Sequence, residues 1–449
     1  MNAAPDIIPA SAHGLRVLIV AEHASLKFGG EASLPYYYFK LLRQRGAEVW
    51  MVVHERTREE LTTDFPQDID RIAFIRDTWL HRAMWSVQSK LPRKLGEQTL
   101  GVLHHLFTQI LARREVRRAI ARHSISVVHE PMPISPKETS MMFGLGVPVV
   151  IGPMCGGMDY PPAFQYLQGG FTRWIERTGR WASHYIHRLV PGKLRADALV
   201  VASAATLRAL PRGCRGKIFK VVESGADLSI WKPAAQTPSH DGEVRFTFLG
   251  RLVDWKGVDL LLEAFKAVAD ASAEAVLQIG GDGPLRQTLE VRAAVLGIEN
   301  RVRFLGHLSR QQGAETVRES DVLVLPSLRE CGGTVLLEAM AVGVPMVATD
   351  WGGPSQYIDD SCGIRVAPDS RESFIAGLAA AMIKLAQSPD LRRQMQAGGQ
   401  RRVRELYFDW DSKADRMLEI LSETVASRDP GTRVDAHADS QLGLAQSLS

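Results

Sequence analysis

The chain has 449 residues, of which 45% are hydrophobic and 23% are charged, and its formal net charge is +4. This length is sufficient for two or three domains with separate cores, and the composition is that of a soluble globular protein. The charge is too small to indicate nucleic-acid binding, and no apolar run approaches the length of a membrane span. Because the first residues also lack the basic start and apolar core of a signal peptide, we expect a cytoplasmic protein.

The sequence contains no familiar metal or disulfide pattern. Cys155, Cys214, Cys331 and Cys362 are far apart and form no C-x-x-C pair, so neither a zinc site nor a disulfide framework is indicated. The D-x-D motif at 68–70 has polar flanks and follows no buried strand. We interpret it as a solvated turn and predict no metal site.

The first half begins with a strand, a glycine loop, a helix and a second strand. Apolar runs at 15–21 and 49–53 predict the strands, and Gly46 ends the helix between them. This order is typical of a βαβ unit. The loop is neither a G-x-G-x-x-G nor a P-loop, so it indicates neither a dinucleotide fingerprint nor an ATPase. Gly29 and Gly30 would let backbone N–H groups approach a ligand, and a plain turn is the alternative.

Later strands of this half end in residues suited to a binding site. The strand at 127–128 leads into His129, and the strand at 147–152 leads into a glycine turn at 156–157. Ligands of open α/β sheets bind beyond the carboxyl ends of strands. His129 and the turn are therefore expected on the binding side, although a purely structural histidine is the alternative. A strand at 198–202 follows.

The segment 171–195 combines aromatic and basic side chains. Phe171, Trp174 and Trp181 recur at helical spacing, with Arg177 and other basic residues alongside. A helix of this kind can lie in a membrane interface and contact anionic lipid. The alternative is an ordinary helix that buries its aromatic side chains in its own domain.

The second half repeats the alternation after a polar connector at 233–242. Arg251 and Lys256 follow its first strand, where two cations can neutralise a diphosphate; surface cations that cap loop carbonyls are the alternative. The predicted strands are 244–249, 276–280, 302–305, 321–325 and 346–348, and the predicted helices are 258–268, 371–406 and 410–425.

The loop and helix after the fourth of these strands carry the most information. Glu330 precedes the pair Gly332-Gly333, and Glu338 lies inside the apolar helix that follows, which Thr334 is predicted to cap. A helix N-terminus fronted by glycines attracts phosphate, and carboxylates beside it can accept hydrogen bonds from sugar hydroxyls. An unpaired charge in an apolar helix is costly, so a partner for Glu338 is expected. We predict a nucleotide-sugar pocket; a solvated acid and a surface ion pair are the alternative.

These residues resemble family 4 glycosyltransferases, through the runs GRLVDWKGVDLLLEAF, GGDGPLR and PSLRECGGTVLLEAMAVGVPMVATDWGG. The resemblance implies an α/β protein with the GT-B fold, in which two Rossmann-like doubly wound domains face a cleft. It implies an acceptor-side domain at 1–235, a nucleotide-sugar domain at 243–405 and a helix at 406–426 that packs back on the first domain. Residues 429–449 have a composition that predicts disorder.

The resemblance also implies roles for individual residues. Arg251 and Lys256 match the diphosphate-binding pair, and Glu338 matches the glutamate that holds the ribose hydroxyls. Glu330 matches the glutamate beside the transferred sugar, and His129 is similar to a histidine near the reacting carbon. The implied catalytic set is therefore Glu330, His129, Arg251 and Lys256. The other donor-binding positions are Gly29, Gly30, Gly332, Gly333 and Thr334.

The implied function is retaining transfer of a hexose from a UDP-, GDP- or ADP-sugar to a hydroxyl acceptor, a lipid-linked or exopolysaccharide glycan, without a metal or other cofactor. Retention comes from the resemblance alone. Two alternatives stay open, a retaining glycoside hydrolase that uses Glu330 and Glu338, and a non-catalytic sugar-nucleotide-binding subunit. Ser224, Cys331 and Gln356 depart from the usual family pattern, which leaves the donor undetermined. Contact with the inner face of the membrane through the aromatic helix is a further expectation.

Overall fold

The computed structural model of the chain describes residues 14–28, 30–88, 100–170, 183, 185–233, 242–406 and 408–428. Within these ranges the strands form two parallel sheets, one of seven and one of six strands. The first sheet contains β1 (Arg16–Val20), β2 (Glu48–His54), β3 (Ile72–Ile75), β4 (Val127–Glu130), β5 (Val149–Met154), β6 (Ala198–Val201) and β7 (Lys217–Lys220). The second contains β8 (Val244–Leu249), β9 (Ala275–Gly280), β10 (Val302–Gly306), β11 (Val322–Leu325), β12 (Met346–Thr349) and β13 (Gly363–Val366).

Helices cover both sheets. Those of the first half are α1 (Ser33–Gln44), α2 (Arg58–Asp64), α3 (Trp79–Gln88), α4 (Leu100–His123), α5 (Gly192–Arg195) and α6 (Ala204–Ala209). Those of the second half are α7 (Val258–Ala271), α8 (Arg286–Val295), α9 (Arg310–Arg318), α10 (Thr334–Val342), α11 (Pro354–Tyr357), α12 (Arg371–Gln387), α13 (Pro389–Glu405) and α14 (Trp410–Ala426).

The strand orders are those of doubly wound sheets. They run β3-β2-β1-β4-β5-β6-β7 in the first sheet and β10-β9-β8-β11-β12-β13 in the second. The order reverses between β1 and β4, and again between β8 and β11, and crevices for ligands open beyond the carboxyl ends of strands at such points. The prediction of two Rossmann-like doubly wound units is confirmed.

Each half of the molecule contributes one segment to the hydrophobic core of the other half. Helix α14 packs on α1, and its residues Trp410 and Met417 belong to the buried apolar cluster that contains Val17 of β1. In the opposite direction, Phe164 from the loop after β5 is fully buried in the core of the second half, with its ring 6.0 Å from that of Phe374. The two halves are therefore joined by packing as well as by the chain.

The strands that the sequence predicts are all present in the described residues. Three further strands lie at sheet edges: β3 and β7 in the first sheet and β13 in the second. Phe171, Trp174, Arg177 and Trp181 lie outside the described residues, as do 234–241 of the connector and the segment 429–449. None of the helices in the described ranges is long and apolar enough to cross a membrane.

Candidate functional site

The loop between β11 and α10 turns into the helix through a glycine. Gly333 takes a left-handed φ of +77° and occupies the N-cap position, a conformation that favours glycine because it has no Cβ. No side chain caps α10, so the predicted Thr334 cap is wrong: Thr334 is already the first helical residue. The first backbone N–H groups of α10 are therefore left for another acceptor, and a helix N-terminus of this kind suits an anion.

Lys256 and Glu330 meet in front of this helix. Lys256 Nζ donates a hydrogen bond to Glu330 Oε2, and each side chain is only 16% exposed. The loop of Lys256 reaches the end of β11 because Gly257 adopts a φ of +65° and packs so closely that a Cβ there would lie 2.5 Å from the Pro326 carbonyl oxygen. Two residues that the sequence assigned to the donor site are thus brought together.

Arg251 and Glu338, the other two charged residues assigned to the donor site, are not held by this pair. Arg251 follows β8 and is exposed, and among the described residues no side-chain bond holds its guanidinium, which leaves it available to a ligand. Glu338 lies in α10; burial raises the pKa of its carboxyl group to about 7, against the lowering effect of Arg310 and with a further raising effect from Asp227. The partner expected for Glu338 is present only as the neighbouring positive charge of Arg310. No hydrogen bond from the described part of the chain reaches the carboxylate.

A chain of hydrogen bonds crosses from one half to the other beside Glu338. Arg310 Nη1 of α9 donates to the Tyr37 hydroxyl at 2.8 Å, and that hydroxyl donates to Asp227 Oδ2 at 2.7 Å. We call this boundary between the two halves the seam. A second hydrogen bond across it runs from Trp351 Nε1–H to the Asp159 carbonyl oxygen at 2.8 Å. Since these residues follow the carboxyl ends of strands in both sheets, the two binding edges face each other.

His129 is placed differently from the expectation. Its side chain is fully buried, its Nε2–H donates to the Gly152 carbonyl oxygen at 2.8 Å, and its ring meets the edge of Tyr38 at 4.9 Å. Burial lowers the pKa of His129 to about 4, so the ring is neutral. In the described residues no contact joins His129 to Glu330 or Lys256, and its catalytic role stays a prediction.

The predicted glycine loop of the first half lies on the same seam. Gly29 is outside the described residues, and a Cβ added to Gly30 would meet no atom within 4 Å. The carboxyl group of the next residue, Glu31, has a raised pKa because of burial and the nearby charges of Glu138 and Glu223. The glycine loop is therefore close to Glu223. The carboxylate of Glu223 in turn packs against the loop between β11 and α10, which we call the donor loop.

Glu223 is the main site residue that the sequence analysis missed. Its carboxylate is buried and accepts a hydrogen bond from the Tyr357 hydroxyl at 3.3 Å. It also contacts the thiol of Cys155, and this thiol is hydrogen-bonded to the free thiol of Cys331. A Cβ on Gly332 would lie 2.0 Å from Glu223 Oε1, so this carboxylate packs directly against the donor loop. The available signal was an acidic residue directly after the apolar pair at the start of the run VVESGAD.

A family model matches much of the second half of the chain. Residues 229–402 match the family of glycosyl transferases, group 1. The matched segment contains Arg251, Lys256, Glu330 and Glu338, the four charged residues of the candidate donor site.

Curated relatives carry related names. The glycogen synthase of Mycobacterium tuberculosis (strain CDC 1551 / Oshkosh) is 30% identical over 217 residues, which is 48% of this chain and 51% of the relative. The GDP-mannose-dependent monoacylated alpha-(1-6)-phosphatidylinositol monomannoside mannosyltransferase of Corynebacterium glutamicum is 30% identical over 244 residues, which is 50% of this chain and 62% of the relative. The chain spans about half the length of the curated relatives that it matches.

Solved structures match almost the whole chain. Sucrose-phosphate synthase from Thermosynechococcus elongatus superposes with a TM-score of 0.64 at 19% identity, covering 92% of this chain and 100% of that one. HepE of Anabaena in complex with UDP has a TM-score of 0.62 at 16% identity, covering 91% and 100%. At such identities the likeness is one of fold, and the two facing sheets form a GT-B fold.

Proposed function

We propose that this protein is a retaining glycosyltransferase that moves a hexose from a nucleoside diphosphate sugar to a hydroxyl acceptor. The observation that carries the proposal is the pairing of Lys256 with Glu330 in front of the uncapped N-terminus of α10. A cation, a carboxylate and a set of backbone N–H groups in one place suit a diphosphate linked to a sugar. The group 1 family match and the names of the relatives support the same class of reaction.

The diphosphate is the natural ligand of the cations. Arg251 has a free guanidinium, Lys256 is held in position by Glu330, and α10 offers its positive end. As the bond between sugar and phosphate breaks, negative charge grows on the diphosphate, and each preorganised donor of this kind is typically worth roughly 3–4 kcal/mol in the transition state. In this proposal no metal ion is needed to neutralise the leaving group.

The two glutamates would hold the sugars at either end of the diphosphate. Glu330 is partly exposed beside Lys256 and can accept hydrogen bonds from the hexose. Glu338, inside α10 and next to the seam, would accept both ribose hydroxyls, which supply the partners that its carboxylate lacks. The ligand thus stabilises a buried charge that is costly in its absence.

Proton transfer in this mechanism runs through the substrate. The leaving phosphate oxygen takes the proton of the acceptor hydroxyl on the face where the bond breaks, which gives retention. His129 joins the carboxyl ends of β4 and β5 through its bond to Gly152 and is no nucleophile, because its ring is fully buried. The acceptor, a lipid-linked or exopolysaccharide glycan, would bind at the first sheet, with Phe171, Trp174, Arg177 and Trp181 contacting the inner face of the membrane.

The test is a transfer assay combined with a thermal-shift screen of UDP-, GDP- and ADP-hexoses. One of these donors at a hundred times its Kd should add about 2.7 kcal/mol to the free energy of unfolding. Glu330→Ala should abolish transfer in a folded protein, whereas Glu290→Ala, which removes an exposed glutamate of α8 that pairs with Arg286, should leave it unchanged.

Three outcomes would contradict the proposal. Release of sugar from a neutral glycoside without any nucleotide would favour a glycoside hydrolase, whose two carboxylates would have to flank the bond roughly 5–5.5 Å apart. Nucleotide-sugar binding without turnover against any glycan acceptor would favour a binding subunit. Full transfer activity in Glu330→Ala would contradict the assignment of the site.

A further inference from the structure

We propose that His54, Asp77 and His81 form a binding site for a divalent transition-metal ion such as Zn²⁺, at the β2–β3 side of the first sheet. His54 is the last residue of β2, Asp77 lies in the loop between β3 and α3, and His81 is in the first turn of α3. The site would join a strand, a loop and a helix through one ion. It does not depend on the proposed transferase activity.

The spacing of the three side chains suits a small metal ion. His54 Nε2 lies 3.2 Å from Asp77 Oδ1, and His81 Nδ1 lies 4.0 Å from the same oxygen. One ligand atom from each residue falls within 4.8 Å of the other two. Tetrahedral zinc binds nitrogen and oxygen at about 2.0–2.2 Å, which places ligand atoms roughly 3.3–3.5 Å apart. A small contraction of the cluster would therefore complete three sides of a tetrahedron, and water can supply the fourth.

The two histidines are shielded from solvent, and the carboxylate is not. Both imidazole side chains are buried, while the Asp77 side chain is 33% exposed and leaves a path from solvent. His54 Nε2 is buried and has no hydrogen-bond partner in the described residues, although it faces Asp77. An unsatisfied ring nitrogen of this kind is costly unless a ligand binds it.

The orientation of His81 is fixed by a second layer of contacts. Thr108 donates its hydroxyl proton to the His104 carbonyl oxygen, so its oxygen is free to accept from His81 Nε2–H, 3.2 Å away. This bond leaves Nδ1 of His81 as the unprotonated nitrogen on the side of Asp77. Metal-binding histidines usually donate their other ring N–H in this manner, which fixes the ring orientation.

A metal ion would compete with groups already present. The Arg56 guanidinium is 3.4 Å from Asp77 Oδ1, and the Arg56 backbone N–H donates to His54 Nδ1 at 3.3 Å. The Thr78 backbone N–H donates to His81 Nδ1 at 3.1 Å. Metal binding would shift the His54 proton to Nδ1 and replace these two neutral hydrogen bonds, which contribute less than metal–ligand bonds. Arg56 is the stronger competitor, since it supplies the positive charge that the carboxylate lacks without metal.

No sequence motif indicates this cluster, because its members come from a strand, a loop and a helix. In the described residues it is the one group of at least three His, Cys, Asp or Glu side chains close enough together to hold a metal. The prediction of no metal site was drawn from cysteine spacing and the D-x-D motif, and neither concerns these residues.

The experiment uses the full chain, stripped with a chelator and titrated with Zn²⁺, with bound metal counted by elemental analysis and Co²⁺ used as a spectroscopic probe. We expect about one equivalent of zinc per chain, a tetrahedral Co²⁺ spectrum and a zinc-dependent rise in Tm. Asp77→Asn and His81→Gln should each weaken binding by roughly a hundredfold or more, since they remove direct ligands. His307→Gln, which changes an exposed histidine of the second half, is the matched control and should bind like the parent.

Arg56→Gln provides a test in the opposite direction. Removing the competing cation should tighten zinc binding, an effect that adventitious binding to surface histidines does not predict. The proposal would be overturned by less than a tenth of an equivalent of bound zinc, or by unchanged affinity in both Asp77→Asn and His81→Gln. Far-UV circular dichroism of each variant checks that lost binding is not lost folding, and two ligand variants are used so that the unfolding of one does not decide the result.

Discussion

The Arg310 guanidinium donates a 2.8 Å hydrogen bond to the Tyr37 hydroxyl and so connects α9 of the second half with α1 of the first. The same hydroxyl donates to Asp227, and the Tyr37 ring stacks on Trp410 with 4.4 Å between ring centroids. Both Arg310 and Asp227 also act electrostatically on Glu338, the carboxylate proposed to hold the ribose. Contact between the halves and the charge of the donor site are therefore linked through one tyrosine.

Tyr37→Phe should loosen this contact without disturbing the core, because the ring and its stacking remain. Hydrogen bonds to charged groups contribute about 1.5–3 kcal/mol each, so we expect a lower Tm, a larger radius of gyration in solution scattering and a higher KM for the donor. Tyr36→Phe is the control, since it removes a similar tyrosine–carboxylate bond, to Asp64, within the first half. Equal scattering profiles and KM values for the two variants would contradict the inference.

Lys256→Met should reduce kcat by roughly 100- to 1,000-fold, the usual cost of removing one preorganised donor at a developing negative charge. The loss should appear in kcat as well as in KM because the charge on the diphosphate grows in the transition state. Lys266→Met is matched to it, since Lys266 pairs with Asp270 on the exposed face of α7. A fall in kcat of the same size in both variants would show that the effect is not specific to the donor site.

The raised pKa of Glu338 predicts opposite pH trends for stability and donor affinity. Because the carboxyl group has a pKa of about 7 in the folded protein and its ordinary value of 4.5 when unfolded, the folded state binds the extra proton between these values. The contribution of Glu338 to the free energy of unfolding therefore falls as pH rises through this window. Affinity for the sugar nucleotide should instead fall by up to roughly tenfold for each pH unit below 7, since the ribose hydroxyls prefer the charged acceptor.

Calorimetric titration of the donor from pH 5.5 to 8, alongside Tm measurements over the same range, checks both trends. Glu338→Gln should flatten the affinity curve and remove from the Tm curve the fall with rising pH that Glu338 contributes, because the amide does not titrate. Pyrophosphate groups within a nucleotide sugar carry constant charge over this range, so the ligand adds no titration of its own. A parent protein whose donor affinity is independent of pH would rule out Glu338 as the titrating group.

Two glycines of the seam should respond differently to alanine. Gly30→Ala introduces a Cβ that meets no protein atom within 4 Å, so the variant should fold with an unchanged Tm, and any loss of transfer reports on the ligand. Gly332→Ala places its Cβ 2.0 Å from Glu223 Oε1, so the donor loop or the carboxylate must move, with loss of both stability and transfer. Thermal unfolding and steady-state kinetics separate the cases; a normal Tm for Gly332→Ala would contradict the packing.

The sequence predicted the interior strands better than the edges. Strands such as β1 and β11 are buried on both faces and appear as continuous apolar runs. The edge strand β7, Lys217–Lys220, buries only Phe219, so its pattern does not differ from that of a polar loop. Edge strands of this type are short and charged because an exposed apolar edge would pair with other chains.

Within the site, a contact inside the second half was predicted, and contacts between the two halves were not. Glu330 and Lys256 were assigned to one pocket from their motifs, and the structure places them in contact. Glu223 was missed because its meaning depends on Gly332 and Tyr357, which lie in the other half. The Thr334 cap failed for a local reason: Gly333 makes the turn with its backbone, so no hydroxyl is needed there.

The position of α14 has a consequence for how the molecule is made. The core around β1 is completed by Trp410 and Met417, which the ribosome adds only after every strand of the second sheet has been synthesised. The nascent first half therefore carries an uncovered apolar surface while the second half is being translated. It reaches its final packing last, although it emerges first, and in this interval it would be the part most in need of a chaperone.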